Sequence, residues 1–283
     1  MQARSTLPEY LTTGMIPPEV VADLGLRIEA GVRSDGELNL SASHRPFLFS
    51  VHLPYVDEQG RLNVGALDDD RREESIAIVQ RGIDVAKMLG VRRGVVHPLG
   101  IGRDDDVVLA DWERTAEGLQ RLADYGRIKG LDLVLENVCV YWDGVPDSVP
   151  AETADRSKAL YLYGCSPVEW RDLCLAVDRE NFRLCLDSTH TVTYAMLSDD
   201  PSEQVRRVHE YLDVGGDLIV HVHWSDNYLG GVRGRYGTHL HVGQGTVPRS
   251  VHERIKHLAA VKHLEHKGTA QQLRAELDFI AHL

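Results

Sequence analysis

The segment RLCLDSTH, residues 183–190, is an apolar run that ends in a carboxylate and places a histidine three residues after it. Its apolar residues lead directly to Asp187, as in a strand that passes through a protein core. Burying a carboxylate is costly unless a positive charge neutralises it. The segment therefore predicts a strand whose C-terminal end delivers Asp187 to a functional site.

Similar short apolar runs occur along the whole chain. There are eight if a weaker first one is included, at residues 10–13, 26–32, 46–52, 93–97, 131–136, 182–187, 218–223 and 260–265. Helical patterns lie between most of them, and such alternation requires a parallel sheet. The number of units predicts an α/β fold, a (β/α)₈ TIM barrel. No linker or shift in composition divides the chain, so we expect a single domain over residues 1–283.

The predicted helices have apolar residues at helical spacing. Ile76, Ile83 and their neighbours share one face, and Gly90 follows as a stop signal. Leu109 is predicted to begin the apolar face of the next helix. Comparable patterns occupy residues 109–123, 201–212 and 269–283, whereas residues 33–45 show no clear helix.

The composition is that of a soluble globular protein, with 43% hydrophobic and 26% charged residues. The formal net charge of −12 repels phosphate backbones, so we do not expect general nucleic-acid binding. No stretch reaches the roughly 18 apolar residues of a membrane span, and the N-terminus lacks a signal-peptide pattern. The four cysteines are scattered, as is typical of reduced thiols. We therefore expect a cytoplasmic protein without a membrane partner.

Six of the apolar runs end in a side chain that can bind a metal, and these residues follow one another at intervals of 36 to 51 residues, about one strand–helix unit. They are His52, His97, Glu136, Asp187, His223 and Glu265. The C-terminal ends of barrel strands meet on one face, where active sites of this architecture lie. Several carboxylates buried together require a cation. The mixture of carboxylates and imidazoles suits Mn²⁺, Zn²⁺ or Co²⁺, and also Mg²⁺ if only the oxygens bind.

The motifs at these positions resemble those of the xylose isomerase-like TIM-barrel superfamily, which contains endonuclease IV and many sugar isomerases and epimerases. In chain order they are HLPY (52–55), GVVHP (94–98), LVLEN (133–137), CLDSTH (185–190), HVHWSDN (221–227), THLHVGQGT (238–246) and HLEHK (263–267). The resemblance extends from His52 to the C-terminus, while the first fifty residues match poorly.

The resemblance to the ketose epimerases implies a single metal held by Glu136, Asp187, His223 and Glu265. It further implies that Glu136 and Glu265 exchange a proton with the substrate as base and acid. His190, three residues after the aspartate, would contact the sugar.

The resemblance to endonuclease IV implies more than one metal. His52 and His97 correspond to ligands of a second zinc, which the glutamate bridges to the first. His190 and His239 correspond to ligands of a third zinc, together with an aspartate two residues before the second histidine. This sequence has Gly237 there, so the third site lacks its carboxylate.

Two loops add candidate substrate-binding residues. The glycine-rich segment 230–237 carries Arg233 and Arg235, and it is either a mobile surface loop or a lid whose arginines hold an anionic substrate. We favour the lid. The long connection 137–167 is rich in aromatic residues, including Trp142, and predicts an ordered flap over the pocket, although packing in a homo-oligomer would use the same residues.

Three functions are compatible with these patterns. The first is a divalent-metal-dependent isomerase or epimerase of a small sugar or related hydroxy-carbonyl compound, acting by proton transfer through an enediolate. The alternative is an endonuclease IV-like multi-zinc phosphodiester hydrolase acting at abasic sites, which His52, His97 and His239 favour and Gly237, the net charge and the long flap oppose. A barrel kept only as a binding module is the least favoured, because such a cluster is costly to retain. We expect a small carbohydrate-like molecule as the partner.

Overall fold

A computed structural model describes residues 10–283 as a closed barrel of eight parallel strands surrounded by helices. The strands are β1 (Tyr10–Thr13), β2 (Arg27–Gly31), β3 (Leu48–His52), β4 (Arg93–Val96), β5 (Asp132–Glu136), β6 (Phe182–Asp187), β7 (Ile219–His223) and β8 (Val261–Leu264). Each strand pairs with its neighbours in chain order, and β1 pairs with both β2 and β8, which closes the ring. All eight predicted strands and the barrel are therefore confirmed. The first nine residues of the predicted domain lie outside the described part of the chain.

Within residues 10–283 the helices are α1 (Pro18–Asp23), α2 (Asp69–Met88), α3 (Trp112–Lys129), α4 (Pro167–Val177), α5 (Ser188–Ala195), α6 (Pro201–Gly215), α7 (Arg249–His257) and α8 (Ala270–Ala281). The prediction for Leu109 was wrong, because the side chain of Asp111 accepts a hydrogen bond from the backbone N–H of Arg114 and so caps α3 two residues further on. The 33–45 segment forms no α-helix and contains only the start of the 3₁₀ helix Ala42–Phe47.

The core has two layers because side chains alternate between the two faces of each strand. Leu133 and Leu135 on β5 point outward and pack with Trp170 of α4 in the layer between strands and helices. Val134 and Cys185 point into the barrel, two residues before Glu136 and Asp187, and form a small apolar plug with Val95 and Val220. The polar residues at the strand ends therefore lie directly above an apolar floor.

Loops after the strands build the rim of the barrel. A short hairpin pairs Val56–Asp57 with Gly60–Arg61, and the flap contributes Tyr161–Leu162 to a small antiparallel sheet with Ile101–Asp104. The flap is thus ordered by backbone pairing. Among the described residues, no helix combines the length and apolar character needed to cross a bilayer.

Candidate metal centre

The C-terminal strand ends surround one cavity of about 680 Å³. Glu136, Asp187 and His223 are the last residues of β5, β6 and β7, while Glu265 follows β8 directly. The cavity is lined by His52, His97, Glu136, His190, His239 and Glu265, among others. Barrel closure therefore brings residues from distant parts of the chain to one place.

Glu136 lies between two groups of histidines. Its Oε2 is 3.0 Å from Nε2 of His52 and 3.2 Å from Nε2 of His97, and its Oε1 is 3.1 Å from Nδ1 of His223. Burial opposes ionisation of Glu136, but His223 and His97 hold its pKa well below the usual range. The carboxylate therefore favours its ionised form between two groups of histidines.

His223 connects Glu136 to a second carboxylate. Its Nδ1 also lies 3.1 Å from Oε2 of Glu265. Burial opposes ionisation of Glu265 as well, but His223 and His239 lower its pKa below the ordinary value. Two ionised carboxylates therefore approach the same nitrogen from separate strands.

The two carboxylate oxygens of Asp187 have different surroundings. Its Oδ1 accepts hydrogen bonds from the backbone N–H groups of Thr189 and His190 and so caps α5. Its Oδ2 is buried and has no hydrogen-bond partner among the described residues. Burial raises the pKa of Asp187, although His190 and His239 partly offset this. Oδ2 lies 3.4 Å from Nδ1 of His190, and a bound cation would offset the cost of burying the negative charge of Asp187.

His190 and His239 complete a further group of donors. The Nδ1–H of His190 donates to the carbonyl of Asn137 over 2.8 Å, which leaves its Nε2 as the atom available to a ligand. Ligand atoms of Asp187, His190 and His239 all lie within 4.8 Å of one another. A Cβ at Gly237 would lie 3.8 Å from Cδ2 of His190, so this position borders the group but contributes no side chain.

The loop that carries His239 is fixed by a buried carboxylate. Asp226 accepts hydrogen bonds from the backbone N–H groups of Gly243, Gly245 and Val247, at 2.9 to 3.2 Å. A carboxylate that accepts several backbone hydrogen bonds orders the chain around it. Asp226 therefore organises the loop rather than contacting the cavity.

The unpartnered atoms of the centre fit a divalent cation. Oδ2 of Asp187 and Nδ1 of His239 are buried without a hydrogen-bond partner in the described chain, and Oε2 of Glu265 lies 3.1 Å from Nδ1 of His223 and 3.6 Å from Nδ1 of His239. Buried polar atoms are nearly always paired, so the two unpaired atoms beside this carboxylate are compatible with a bound cation. Carboxylate oxygens and imidazole nitrogens together suit Mn²⁺, Zn²⁺ or Co²⁺.

Glu29 is a member of the centre that the sequence did not reveal. This buried residue of β2 places Oε1 2.9 Å from Nε2 of His223 and 3.4 Å from Nδ1 of His263, and its Oε2 lies 3.2 Å from Nε2 of His221. Ser50 donates a further hydrogen bond to Oε2 over 2.6 Å. Glu29 lies inside an apolar run rather than at its end, so the strand-end pattern missed it.

The predicted loop contacts lie away from the cavity. Arg235 is buried and donates hydrogen bonds to the carbonyls of Pro146 and Val149, while its guanidinium lies 4.3 Å from the ring centroid of Trp142. Arg233 is exposed and stacks on Tyr228 at 3.6 Å. None of Trp142, Arg233 and Arg235 lines the cavity. Arg235 ties its segment to the flap, and Arg233 packs on Tyr228 of its own loop, so neither makes the contact at the cavity that the predicted lid requires.

The mouth of the cavity is lined by charged side chains. Asp35, Asp57 and Glu58 line it, but Asp35 pairs with Arg33 at 3.0 Å and Asp57 pairs with Arg71 at 2.6 Å. Tyr55 stacks on the ring of His97 with the two centroids 4.4 Å apart. The mouth therefore offers carboxylates and an aromatic ring to an incoming molecule.

The fold and site define a (β/α)₈ barrel with a candidate metal centre at its strand ends. A family model described as xylose isomerase-like TIM barrel matches residues 37–283, so the chain belongs to that family. No protein of curated function matches the sequence.

Two similar solved structures show the same fold. A D-tagatose 3-epimerase-like protein has 18% sequence identity and a TM-score of 0.65, with 97% of this chain and 98% of that one covered. Endonuclease IV from Thermus thermophilus has 20% identity and a TM-score of 0.63, with 98% and 100% covered. Identities this low support the shared fold and leave the reaction open.

Proposed function

We propose that this protein is a divalent-metal-dependent isomerase or epimerase of a small sugar or related hydroxy-carbonyl compound. The observation that carries the proposal is the pair of ionised carboxylates, Glu136 and Glu265, each 3.1 Å from the same nitrogen of His223. Together with His223 and Asp187 they form a four-residue donor set, and Glu136 and Glu265 line a cavity whose size suits a monosaccharide.

Each residue of the set has a proposed role. A divalent cation bound by Glu136, Asp187, His223 and Glu265 would draw electron density from adjacent substrate oxygens and so acidify the neighbouring C–H bond. Glu136 and Glu265 are ionised, which is the form that accepts a proton. One would remove the proton, and the other, after taking a proton from solvent, would deliver that proton to the carbon. His190, whose Nδ1 is held by a backbone carbonyl, would direct Nε2 at a substrate oxygen.

The charge distribution supports a small substrate over a nucleic acid. The net charge of −12 repels a phosphate backbone at long range, and Glu58 adds a carboxylate at the mouth. The likeness to a D-tagatose 3-epimerase-like protein agrees with this substrate class.

A second candidate is a multi-zinc phosphodiester hydrolase, because His52 and His97 both contact Oε2 of Glu136. These three residues offer a second metal site that shares Glu136 with the first. The likeness to endonuclease IV agrees with it. The net charge of −12 and Gly237 weigh against it.

Solvent deuterium exchange tests the proposal. The protein, loaded with Mn²⁺ or Zn²⁺, is incubated in D₂O with ketopentoses, ketohexoses and their phosphates, and deuterium on carbon is followed by NMR. We expect exchange with at least one sugar, and a loss of about 10²- to 10⁴-fold in Glu265→Gln. Glu180→Gln, an exposed residue, serves as the control.

His52→Gln separates the two candidates. It leaves the proton-transfer pair in place, so exchange persists if the first proposal holds. In the hydrolase it removes a metal ligand and abolishes cleavage of an abasic-site oligonucleotide. Cleavage by the wild-type protein without any sugar exchange would overturn the isomerase proposal.

A further inference from the structure

The cavity at the strand ends is built differently on its two sides. The four proposed metal donors come from β5 to β8 and from the residues directly after them. The opposite side is formed by residues 13–15 at the end of β1, residues 31–35 at the end of β2 and residues 54–58 after β3. None of the four donors lies in these three segments. The cavity therefore extends from the donor set to a side of the barrel that the proposed metal chemistry does not use.

Open space lies beside Gly31 on this side of the cavity. Glu29 points into the barrel, where it contacts His223, and position 31 faces the same way because side chains alternate along a strand. A Cβ at Gly31 would have no heavy atom within 4 Å. The whole cavity measures about 680 Å³, within the range of pockets that enclose drug-sized molecules. A monosaccharide at the donor set therefore leaves room next to it for a further group.

Three exposed apolar side chains line this side of the cavity. Met15, Tyr55 and Val56 are 54%, 38% and 43% exposed, and together they are called the outer wall below. Single exposed apolar residues are ordinary on a protein surface, but a group of them at one cavity is typical of a binding site. A thioether and a phenol ring both make favourable contacts with an aromatic ligand. The outer wall therefore suits an apolar group, and an aromatic group above all.

The charges on this side disfavour an anionic group. Among the described residues that line the cavity, Arg33 is the only lysine or arginine. Its guanidinium pairs with Asp35 at 3.0 Å, and Glu58 adds a further carboxylate to the lining. Sites for phosphate or carboxylate groups rely on arginine and lysine donors directed at the anion. A sugar phosphate would meet one cation here, and that cation already has a partner.

We propose that the substrate is a hydroxy-carbonyl sugar that carries an uncharged apolar substituent. The sugar binds at the donor set, and the substituent binds against Met15, Tyr55 and Val56. This inference rests on the proposed function and names the part of the substrate that the metal does not contact. Binding energy from such a remote group helps to position the reacting carbon. The outer wall is thus the surface that determines which sugars the protein accepts.

Matched ligands test the proposal. Protein loaded with Zn²⁺ is titrated with the phenyl glycoside, the methyl glycoside and the 6-phosphate of the same hexose, for several hexoses, and binding is followed by saturation-transfer NMR. We expect the phenyl glycoside of at least one hexose to bind about 10- to 100-fold more tightly than its methyl glycoside, with the strongest saturation on the phenyl protons. The phosphate should bind no more tightly than the methyl glycoside. These ligands report binding and need not react.

A double variant, Met15→Ser/Val56→Ser, removes two members of the outer wall and leaves the metal donors unchanged. We expect it to lose most of the preference for the phenyl glycoside and to keep its affinity for the methyl glycoside. Met88→Ser is the matched control, because Met88 is 79% exposed at the end of α2 and does not line the cavity. If the double variant does not fold, the comparison of ligands on the wild-type protein still tests the proposal.

Three results would overturn the proposal. They are equal binding of the phenyl and methyl glycosides in every pair, no detectable binding of any phenyl glycoside, and a phenyl preference that persists in the folded double variant. A dimer in light scattering that the double variant dissociates would also overturn it, because a second copy would then cover the outer wall.

Failure of this inference can be distinguished from failure of the proposed function. Deuterium exchange on unsubstituted sugars without a phenyl preference would remove this inference and leave the proposed function. A phenyl preference without exchange on any sugar would keep the outer wall as a binding surface and remove the isomerase.

Discussion

The strand-end centre and the flap are both rich in charged and aromatic side chains, but they differ in what holds them. In the centre, Glu136 and Glu265 converge on His223, and Asp187 keeps an oxygen without a hydrogen-bond partner in the described residues. The flap is held in part by Arg235 of the 230–237 segment, which donates to two flap carbonyls and stacks on the indole ring of Trp142. The centre has donor atoms left for a ligand, whereas the flap is held by contacts within the protein.

This difference separates function from stability. Ionisable groups packed together without enough positive charge raise the free energy of the fold, and a bound cation recovers that cost. An arginine that satisfies loop carbonyls lowers the free energy without any ligand. Substitutions in the two regions should therefore change different measurements.

The largest effect is expected for Glu136→Gln, because this carboxylate contacts both the His52/His97 pair and His223. We expect metal bound at the centre to be lost and turnover to fall by about 10²- to 10⁴-fold. Metal content by elemental analysis and the exchange assay measure this, with Glu180→Gln as the control. Retention of full metal content would contradict the proposal that Glu136 binds metal at the centre.

Glu29→Gln should have the next largest effect. Glu29 fixes His223 through Nε2, and removing a carboxylate partner of a metal-binding histidine weakens the metal about 10- to 100-fold. Competition with a chelator measures the affinity. An unchanged affinity would show that His223 is held by its other contacts.

Arg235→Met should lower stability and leave the centre intact. Hydrogen bonds from a charged donor contribute roughly 1.5–3 kcal/mol, so we expect a loss of about that size in the free energy of unfolding. Denaturant unfolding measures it, and metal content should not change. The exposed Arg233→Met is the matched control, with an expected loss of about 0.5–1 kcal/mol from its ring contact. Loss of metal binding in Arg235→Met would contradict this prediction and would indicate that Arg235 also supports the centre.

The smallest effect is expected at the rim, for Asp57→Asn. Arg71 donates two hydrogen bonds to Asp57, at 2.6 and 3.1 Å, and lowers the pKa of this carboxyl. A lowered pKa stabilises the fold above the unfolded value of about 3.9, and this contribution is lost as the pH falls through the folded value. We expect Asp57→Asn to cost about 1 kcal/mol at pH 7. The difference in free energy of unfolding between Asp57→Asn and wild type should vanish below about pH 4. A difference that does not change with pH would exclude the ion pair as its cause.

The strands and their terminal residues could be predicted because both depend on local pattern. An apolar run of the right length forms a strand in this barrel, and its last residue reaches the cavity once the ring closes. Glu29 was not predicted because it lies in the middle of β2 rather than at its end. Its contact with His223 is seen only once the strand is placed in the barrel with Glu29 pointing inward.

Loop side chains could not be predicted in the same way. The direction of Arg235 is set by carbonyls almost ninety residues earlier in the chain, at Pro146 and Val149, and no local pattern reports such contacts.

Gly237 marks a position beside His190 where this barrel could gain a further carboxylate. The position borders His190, and its Cβ would lie 3.1 Å from Sγ of Cys139, so an aspartate there requires only that the thiol move aside. A single Gly237→Asp exchange would add a carboxylate beside Asp187, His190 and His239 while leaving every strand unchanged. On such a scaffold, a change of substrate can begin in one loop residue long before the barrel itself diverges.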